Sequence, residues 1–166
     1  MKIYIAGPDV FEQNSIEIGQ KYSNLCKEYG HVGLYPLDNI VDFEQAKQKI
    51  AQDIFYANVK LIKEADIVIA NLNAFRGKEA DSGTVWECGF ASALGKKVYA
   101  YMTNTSDYLQ RFDDANNLDN GLYVDSEGKI IEDFDYPINL MIACSTEIIE
   151  GEFKDALEHI KESITL

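Results

Sequence analysis

Strand-like and helix-like patterns alternate along this chain, and that alternation limits its possible folds more than any other feature. The clearest strand is DIVIANL (66–72), a continuous apolar run typical of a strand that is covered on both faces at the centre of a parallel sheet. Other apolar runs predict further strands, with helical periodicity in the segments around them. The predicted strands are 2–7, 31–37, 66–72, 96–102 and 146–150, and the predicted helices are 15–29, 43–64, 82–94 and 153–164.

This repeat predicts an α/β fold: a doubly wound, five-stranded parallel sheet of the flavodoxin-like or Rossmann-like group, in one domain over residues 1–166. In such sheets, ligands bind at the carboxyl ends of the strands. Residues 103–136 interrupt the repeat with a polar, acidic stretch that is too long for a plain connection. Two interpretations of this stretch stay open, a disordered insertion and a lid over the ligand crevice. Its start at a strand's carboxyl end favours the lid.

The charge of the chain argues against polyanionic partners. With 15 basic and 28 acidic residues, the net charge is −13, which disfavours nucleic acid and anionic membrane surfaces. The N-terminal MKIYIAGP is strand-like and too short for the apolar region of a signal peptide, and the sequence has no run of eighteen apolar residues. We therefore expect a cytoplasmic protein.

Cysteine and glycine patterns give no indication of a bound cofactor. The three cysteines, Cys26, Cys88 and Cys144, are widely spaced and form no CxxC, so Cys26 and Cys88 are predicted to be reduced core residues. No His/Cys/Asp cluster has metal-ligand spacing, and neither a GxGxxG motif nor a P-loop is present. We expect no metal and no organic cofactor.

The predicted helix in DSGTVWECGFASAL (81–94) carries an acid on an otherwise apolar stripe. The stripe is predicted to contain Gly83, Glu87, Phe90, Ala91 and Leu94. An ionised carboxylate in such surroundings is costly unless it is hydrogen-bonded, so Glu87 is a candidate nucleophile or general base at the floor of a crevice. The structural alternatives are a hydrogen bond from Glu87 to a neighbouring loop, or a side chain that points outward.

Two further residues support a site at the start of this helix. Gly83 would let a ligand approach the backbone closely, and Asp81 is placed either to cap the helix or to face the same crevice. Two carboxylates in different environments are the usual equipment for cleaving a glycosidic bond. The residues by themselves do not indicate which bond is cleaved.

Four segments in this order resemble the nucleoside 2-deoxyribosyltransferases over residues 2–141. The segments are KIYIAGPDVF, PLDN, DIVIANLNAFRGKEADSGTVWECGFASALGKK and PINLM. The resemblance implies an enzyme of nucleoside salvage that moves 2-deoxyribose between nucleobases, by double displacement through a glycosyl ester on a glutamate. It implies that Glu87 is the nucleophile, that Asp81 holds the sugar and is a candidate proton donor, and that Tyr4 positions the nucleophile.

The resemblance also implies substrate-binding residues. Gly7 and Phe11 match the loop that backs the base, and Asp38 and Gly83 fall within matched segments. Asn139, with Met141 nearby, matches an asparagine that reaches a sugar hydroxyl in the neighbouring subunit's site, which implies a homo-oligomer with shared sites. The implied partners are 2-deoxynucleosides and free nucleobases.

The chain departs from the family pattern at two places. Asn58 stands where some members carry an aspartate proposed to protonate the base, and an amide cannot supply a proton as an acid. Some members end in a tyrosine whose carboxylate enters the site, whereas this sequence ends in ITL. The source of the leaving base's proton and the preference for purine or pyrimidine therefore stay open.

Other interpretations of these residues are also possible. The same glutamate would serve a 2-deoxynucleoside 5-phosphate N-glycosidase with water as acceptor, and the fold would also suit a non-enzymatic nucleoside- or nucleotide-binding module. Structural roles are available for the individual residues: Tyr4 and Phe11 as core, Asn139 as a helix cap, and Arg76 as a surface partner of Glu79.

Overall fold

The computed structural model describes residues 1–38 and 42–165. Its strands are β1 Lys2–Ala6, β2 Val32–Leu34, β3 Ile67–Asn71, β4 Lys97–Met102, β5 Asn116–Asn117, β6 Tyr123–Val124, β7 Ile130–Ile131 and β8 Glu147–Glu150. Its α-helices are α1 Ser15–Glu28, α2 Lys47–Glu64, α3 Ser82–Ala93, α4 Leu140–Ala143 and α5 Phe153–Thr165.

The predicted fold class is confirmed. Five strands form one sheet in the order β2-β1-β3-β4-β8, and every neighbouring pair is parallel. Tyr4 of β1 lies opposite Val68 of β3, and Ala6 opposite Ala70, so β1 and β3 end together at one edge. In this strand order, β1 and β3 form the switch point at which doubly wound sheets bind ligands.

Alternate residues of the central strands pack into two separate cores. Tyr4 and Val68 point to the face that α2, α3 and α4 cover, where Cys88 and Ala91 of α3 are buried against them. The opposite face is covered by α1 and α5. Its buried residues include Ile3, Ile5, Cys26, Ile69, Phe153, Leu157 and Ile160. Because both faces are covered, the central strands are apolar on both sides, as the DIVIANL pattern predicted.

Two predicted boundaries were wrong, both because side chains hold the chain in turns. The helix predicted from residue 43 begins at Lys47, and the Asp42 carboxylate accepts a hydrogen bond from the amide of Glu44 at 3.0 Å, which favours a turn. The strand predicted over 31–37 ends at Leu34, because a 3₁₀ turn starts at Pro36. None of the helices in the described part of the chain is long and apolar enough to cross a bilayer.

Residues 103–136 have regular structure, which does not agree with the disordered alternative. They contain a 3₁₀ turn, Tyr108–Arg111, and the antiparallel three-stranded sheet β5-β6-β7. The segment lies against the loop that follows β3: Arg111 donates a hydrogen bond to the carbonyl of Lys78 at 2.8 Å, and Lys78 pairs with Asp114 at 3.5 Å.

Candidate active site

A cleft of about 550 Å³ opens at the carboxyl ends of β1 and β2, between the 3₁₀ turn Pro8–Phe11, α2 and the first turns of α3, the helix that follows β3. This volume is in the range of small-molecule sites. Its walls are mostly apolar, and two carboxylates lie among them. The lining residues are Gly7, Val10, Phe11, Ser15, Ile16, Pro36, Leu37, Phe43, Ile54, Asn58, Asp81, Gly83, Thr84 and Glu87.

Glu87 is hydrogen-bonded to a tyrosine from β1, an inner strand of the sheet. The hydroxyl of Tyr4 donates to Oε1 of Glu87 at 2.5 Å, and Tyr4 is 0% exposed. Tyr4 points from β1 to the face that α3 covers, so its ring is part of the core while its hydroxyl reaches the cleft floor. Glu87 lies just over one turn into α3 and is partly buried, with its carboxyl group at the cleft. The site therefore contains a carboxylate whose position is set by a rigid strand.

The surroundings of Glu87 make its ionised form unfavourable. Loss of water on burial raises the pKa of Glu87 to about 7, and the negative charge of Asp81 acts in the same direction. The hydrogen bond from Tyr4 lowers the pKa of Glu87 and so opposes this effect. Burial, together with the charge of Glu87, raises the pKa of Tyr4 well above its ordinary value, so Tyr4 remains a donor. Near neutral pH, Glu87 is thus divided between its two protonation states.

This raised pKa predicts that the protein loses stability as pH rises. The ordinary pKa is 4.5 and the folded value is about 7, so the folded state binds the Glu87 proton more tightly than the unfolded state. The free energy of unfolding then falls between about pH 4.5 and 7, by roughly 3 kcal/mol in total. We expect Glu87→Gln to stabilise the protein by most of this amount at pH 8 and by little at pH 4.5, as measured by urea unfolding.

The control for this measurement is Glu17→Gln, which changes an exposed glutamate on α1. Its stability relative to the unmodified protein should differ little between the two pH values, because an exposed carboxylate keeps its water in both states. The prediction would be contradicted if the difference in unfolding free energy between Glu87→Gln and the unmodified protein stayed constant from pH 4.5 to 8.

Asp81 both caps α3 and faces the cleft, the two roles that its position suggested. Its Oδ2 accepts hydrogen bonds from the amide and the hydroxyl of Thr84, at 2.8 and 2.9 Å, which caps the N-terminus of α3. The same residue lines the cleft beside Gly83. A Cβ on Gly83 would lie 3.1 Å from Oδ2 of Asp81, so glycine leaves room around this carboxylate.

The buried face of α3 is rotated around the helix axis relative to the predicted apolar stripe. The buried residues of α3 are Thr84, Cys88 and Ala91, whereas Gly83 is exposed and Leu94 is 44% exposed. Small side chains face the sheet because they let the helix approach it closely, and this preference is not visible in hydrophobicity. Glu87 therefore lies at the boundary between the buried face and the cleft, rather than in the middle of the stripe.

The loop after β1 requires glycine at position 7. A Cβ on Gly7 would lie 2.5 Å from Oδ2 of Asp9 and 2.9 Å from Cβ of Asn71. Asp9 folds back beneath the loop, where it accepts hydrogen bonds from Asn71 Nδ2 at 3.0 Å and the Tyr22 hydroxyl at 3.2 Å. Sequence reasoning did not single out Asp9, Tyr22 or Asn71. The available signal was an acid directly after a buried strand, within an otherwise apolar loop.

Phe11 and Asn58 also line the cleft. Phe11 is 57% exposed, so the alternative that it belongs to the core was wrong. Its ring stacks on Phe75, with ring centres 5.5 Å apart. Asn58 projects into the cleft from α2. It offers hydrogen-bond donors and an acceptor at this wall, but no acidic proton.

The ionisable side chains among the described lining residues are Asp81 and Glu87, both acids. A phosphate group would meet negative charge in this cleft without a lysine or arginine from the described lining to balance it. Among the described residues, no three His, Cys, Asp or Glu side chains come together in a geometry that would hold a metal ion. The cleft favours a neutral, partly apolar ligand.

Comparison with known proteins identifies the family to which the chain belongs. The model of the nucleoside 2-deoxyribosyltransferases matches residues 3–141, which include the β1 loop, α2 and α3. This chain belongs to the nucleoside 2-deoxyribosyltransferase family.

One solved relative agrees with the family membership, and two further comparisons show a shared fold and a partial match in sequence. A 2-deoxyribosyltransferase from Leishmania mexicana is 31% identical, with a TM-score of 0.75 and 97% coverage of both chains. The enzyme from Bacillus psychrosaccharolyticus shares the fold at 23% identity and a TM-score of 0.61, over 97% of this chain and 90% of that one. An uncharacterized protein of Schizosaccharomyces pombe is 30% identical over 112 residues, 66% of this chain and 53% of that protein. The chain thus spans about half the length of this curated relative.

Some residues that the family resemblance implied lie outside the cleft of their own chain. Asn139 caps α4 by accepting a hydrogen bond from the amide of Met141 at 3.0 Å, and its Nδ2 donates to Glu132 at 2.6 Å. Met141 is 72% exposed. Asp38 accepts a hydrogen bond from the amide of Tyr35 at 3.2 Å, while its neighbours in the same turn line the cleft. Substrate binding by these three residues stays a prediction.

In this deoxyribosyltransferase family member, the segment 103–136 does not line the cleft. None of the described lining residues comes from it. The alternative in which Arg76 pairs with Glu79 was wrong, because Glu79 accepts a hydrogen bond from the hydroxyl of Tyr108 in this segment. Closure of the segment over a ligand stays a prediction.

A second hollow, of about 340 Å³, reaches Glu87 from the side. It shares Asn58, Gly83 and Glu87 with the main cleft, and its other walls are Phe55 and Trp86. These two rings pack against each other at 5.3 Å, and both are exposed. The carboxylate is therefore bordered by open space on two sides and by an exposed aromatic surface.

Proposed function

We propose that this protein transfers 2-deoxyribose from one nucleobase to another, with Glu87 as the nucleophile that carries the sugar as an ester. The observation that carries the proposal is the Glu87 carboxyl at the cleft floor, hydrogen-bonded by Tyr4 at 2.5 Å and bordered by Asp81. Family membership and the 31% identity to a Leishmania mexicana 2-deoxyribosyltransferase support it.

The first displacement begins with an oxygen of ionised Glu87 attacking the anomeric carbon of a 2-deoxynucleoside. A carbon–oxygen bond forms, the carbon–nitrogen bond breaks, and its electron pair leaves on the base nitrogen. Because Tyr4 occupies Oε1, Oε2 is the oxygen that attacks. The departing base gains a proton from water, or from Asp81 when that carboxyl group is protonated, since Asn58 cannot supply one.

The second displacement reverses these changes with a different base. A ring nitrogen of the incoming base attacks the same carbon, the ester bond breaks, and its electron pair returns to Glu87. The incoming base loses its N–H proton to the group or water that supplied the first one. Two inversions at one carbon give net retention. The apolar cleft walls favour this route over hydrolysis because they keep water away from the ester.

Charge favours a nucleoside over a nucleotide as the sugar donor. The described cleft residues that ionise are both acids, and a 5-phosphate would be repelled by them. For this reason we rank a 2-deoxynucleoside 5-phosphate N-glycosidase second. A non-enzymatic binding module would not require a carboxylate of raised pKa in hydrogen-bond contact with a buried tyrosine.

The deciding experiment is base exchange followed by chromatography. The protein is mixed with deoxyinosine and adenine, and separately with thymidine and adenine. Formation of deoxyadenosine supports the proposal. Free deoxyribose without deoxyadenosine would indicate a hydrolase, and deoxyribose 5-phosphate from a 2-deoxynucleoside 5-phosphate would indicate the N-glycosidase. Saturable binding without any product would indicate a binding module.

We also infer that a second copy of the chain completes the site. Phe55, Tyr56 and Trp86 form an exposed aromatic surface beside Glu87, and large exposed apolar patches mark interaction sites. Met141 lies outside the cleft of its own chain and is 72% exposed, so it is available to a neighbouring chain, and Asn139 caps the same short helix. The inferred assembly is a homo-oligomer.

This assembly is tested by replacing one aromatic residue. We expect Trp86→Glu to lower the mass in solution, measured by light scattering at micromolar protein, because a charge would be buried in the interface. The matched control is Ile130→Glu, since Ile130 is also exposed but lies in β7. A monomeric unmodified protein, or an unchanged mass for Trp86→Glu, would contradict the assembly without affecting the proposed chemistry.

A further inference from the structure

The motif Phe75-Arg76-Gly77 is not used by the chemistry proposed above, yet its backbone is strained. Arg76 has a φ of 51°, in the left-handed region that favours glycine, and Gly77 follows with a φ of 147°. A long side chain in this conformation persists only where its surroundings hold it there, and such positions cluster at functional sites. The position therefore raises the question of what the Arg76 side chain contacts.

Arg76 contacts two aromatic rings at once. Its guanidinium carbon lies 4.7 Å from the ring centre of Phe75 and 5.4 Å from that of Phe11. The two rings stack with an angle of 18° between their planes. The amide of Phe75 donates to the carbonyl of Glu79 at 2.8 Å, which closes the loop that carries the motif. The guanidinium and the two ring centres thus lie 4.7 to 5.5 Å from one another, so that Phe11 is in contact with both Phe75 and Arg76.

Phe11 needs such support because its own turn provides little. The 3₁₀ turn Pro8–Phe11 contains no buried residue, and Phe11 is more than half exposed at the cleft. A free ring at this place would lose rotational freedom whenever a flat ligand stacked on it, and that loss weakens binding. A ring already held by Phe75 and Arg76 has lost this freedom before the ligand arrives.

We propose that Arg76 is a positioning residue that determines nucleobase affinity, by holding Phe11 as a fixed wall for the flat face of the base. The proposal rests on the proposed function, in which both the departing and the incoming base occupy this cleft. Arg76 acts through Phe11 and touches no reacting atom. The backbone strain at Arg76 is retained because the guanidinium has to reach both rings.

The test uses Arg76→Gly, for which the proposal predicts weaker binding of the nucleobase without a loss of protein stability. Glycine adopts a φ of 51° without strain, so the melting temperature should be unchanged or higher. The KM for adenine in base exchange should rise about three- to tenfold, as expected for loss of a cation–π contact, with kcat changed less than about twofold. Arg76→Lys keeps a cation that can lie over the rings but loses the planar guanidinium, so its KM should lie between those of the unmodified protein and Arg76→Gly.

A double variant tests whether the effect passes through Phe11. In a Phe11→Ala background, Arg76→Gly should change KM by less than about twofold, because the ring that Arg76 holds is already gone. The control is Lys97→Ala, which removes a cation 4.7 Å from the Tyr99 ring at the amino end of β4. Its KM should not change.

Calorimetric titration of adenine, without a sugar donor, separates this proposal from the proposed function. If the unmodified protein exchanges bases and binds adenine, but Arg76→Gly binds it equally well, the role of Arg76 is wrong and the proposed function stands. A lower melting temperature together with weaker binding would also overturn it, since that result indicates loss of structure. If the unmodified protein neither binds adenine nor exchanges bases, the proposed function itself fails.

Discussion

Replacement of Glu87 by glutamine should reduce base exchange by a factor on the order of 10⁴ or more, the size of effect seen when an enzyme loses its nucleophile. Glutamine has nearly the same shape as glutamate, and its side-chain oxygen can accept the hydrogen bond from Tyr4. In the unmodified protein the Tyr4 hydroxyl lies 2.5 Å from Oε1 of Glu87. It cannot, however, form the ester. The variant should stay folded and be more stable than the unmodified protein at pH 8, so the loss of activity would not reflect unfolding.

Intact-mass spectrometry tests the same residue directly. Incubated with a 2-deoxynucleoside and no acceptor base, the unmodified protein should gain the mass of one deoxyribosyl group, and Glu87→Gln and Glu87→Ala should gain none. Glu17→Gln on α1 serves as the control and should form the adduct normally. An adduct on Glu87→Ala, or base exchange by either Glu87 variant at the unmodified rate, would overturn the proposed mechanism.

Tyr4→Phe should give the second largest loss of activity, and the size of that loss depends on pH. Catalysis requires ionised Glu87, so kcat/KM should rise with pH through about 7 in the unmodified protein. The Tyr4 hydroxyl lowers the pKa of Glu87, and without it that pKa rises. The acidic limb of the kcat/KM profile should then move to higher pH. At pH 7 we expect activity to fall about 10- to 100-fold, because the carboxylate also loses its buried donor.

The matched control for Tyr4→Phe is Tyr35→Phe. Tyr35 is also buried, but its hydroxyl lacks a hydrogen-bond partner in the described structure, and it belongs to the core on the opposite face of the sheet. Tyr35→Phe should not move the acidic limb of the kcat/KM profile. The assignment of Tyr4 is wrong if Tyr4→Phe leaves the limb in place or moves it to lower pH.

The amino-acid sequence alone was sufficient to predict the strands and helices that carry the site. The apolar run around β3 predicts a strand covered on both faces, because no other element of that length buries every residue. Asp81 was a candidate cap for the start of α3, since a cap needs only its own first turn. These features depend on neighbours within a few positions along the chain, so they are visible without a structure.

Only the tertiary structure decided which of these residues meet. Tyr4 and Glu87 are 83 positions apart, and their hydrogen bond exists because α3 packs over the face of the sheet to which Tyr4 of β1 points. The displaced buried face of α3 and the placement of Asn139 outside its own cleft likewise follow from packing between distant segments. Periodicity specifies which residues share a side of one element, whereas contact between elements depends on close packing of the whole domain.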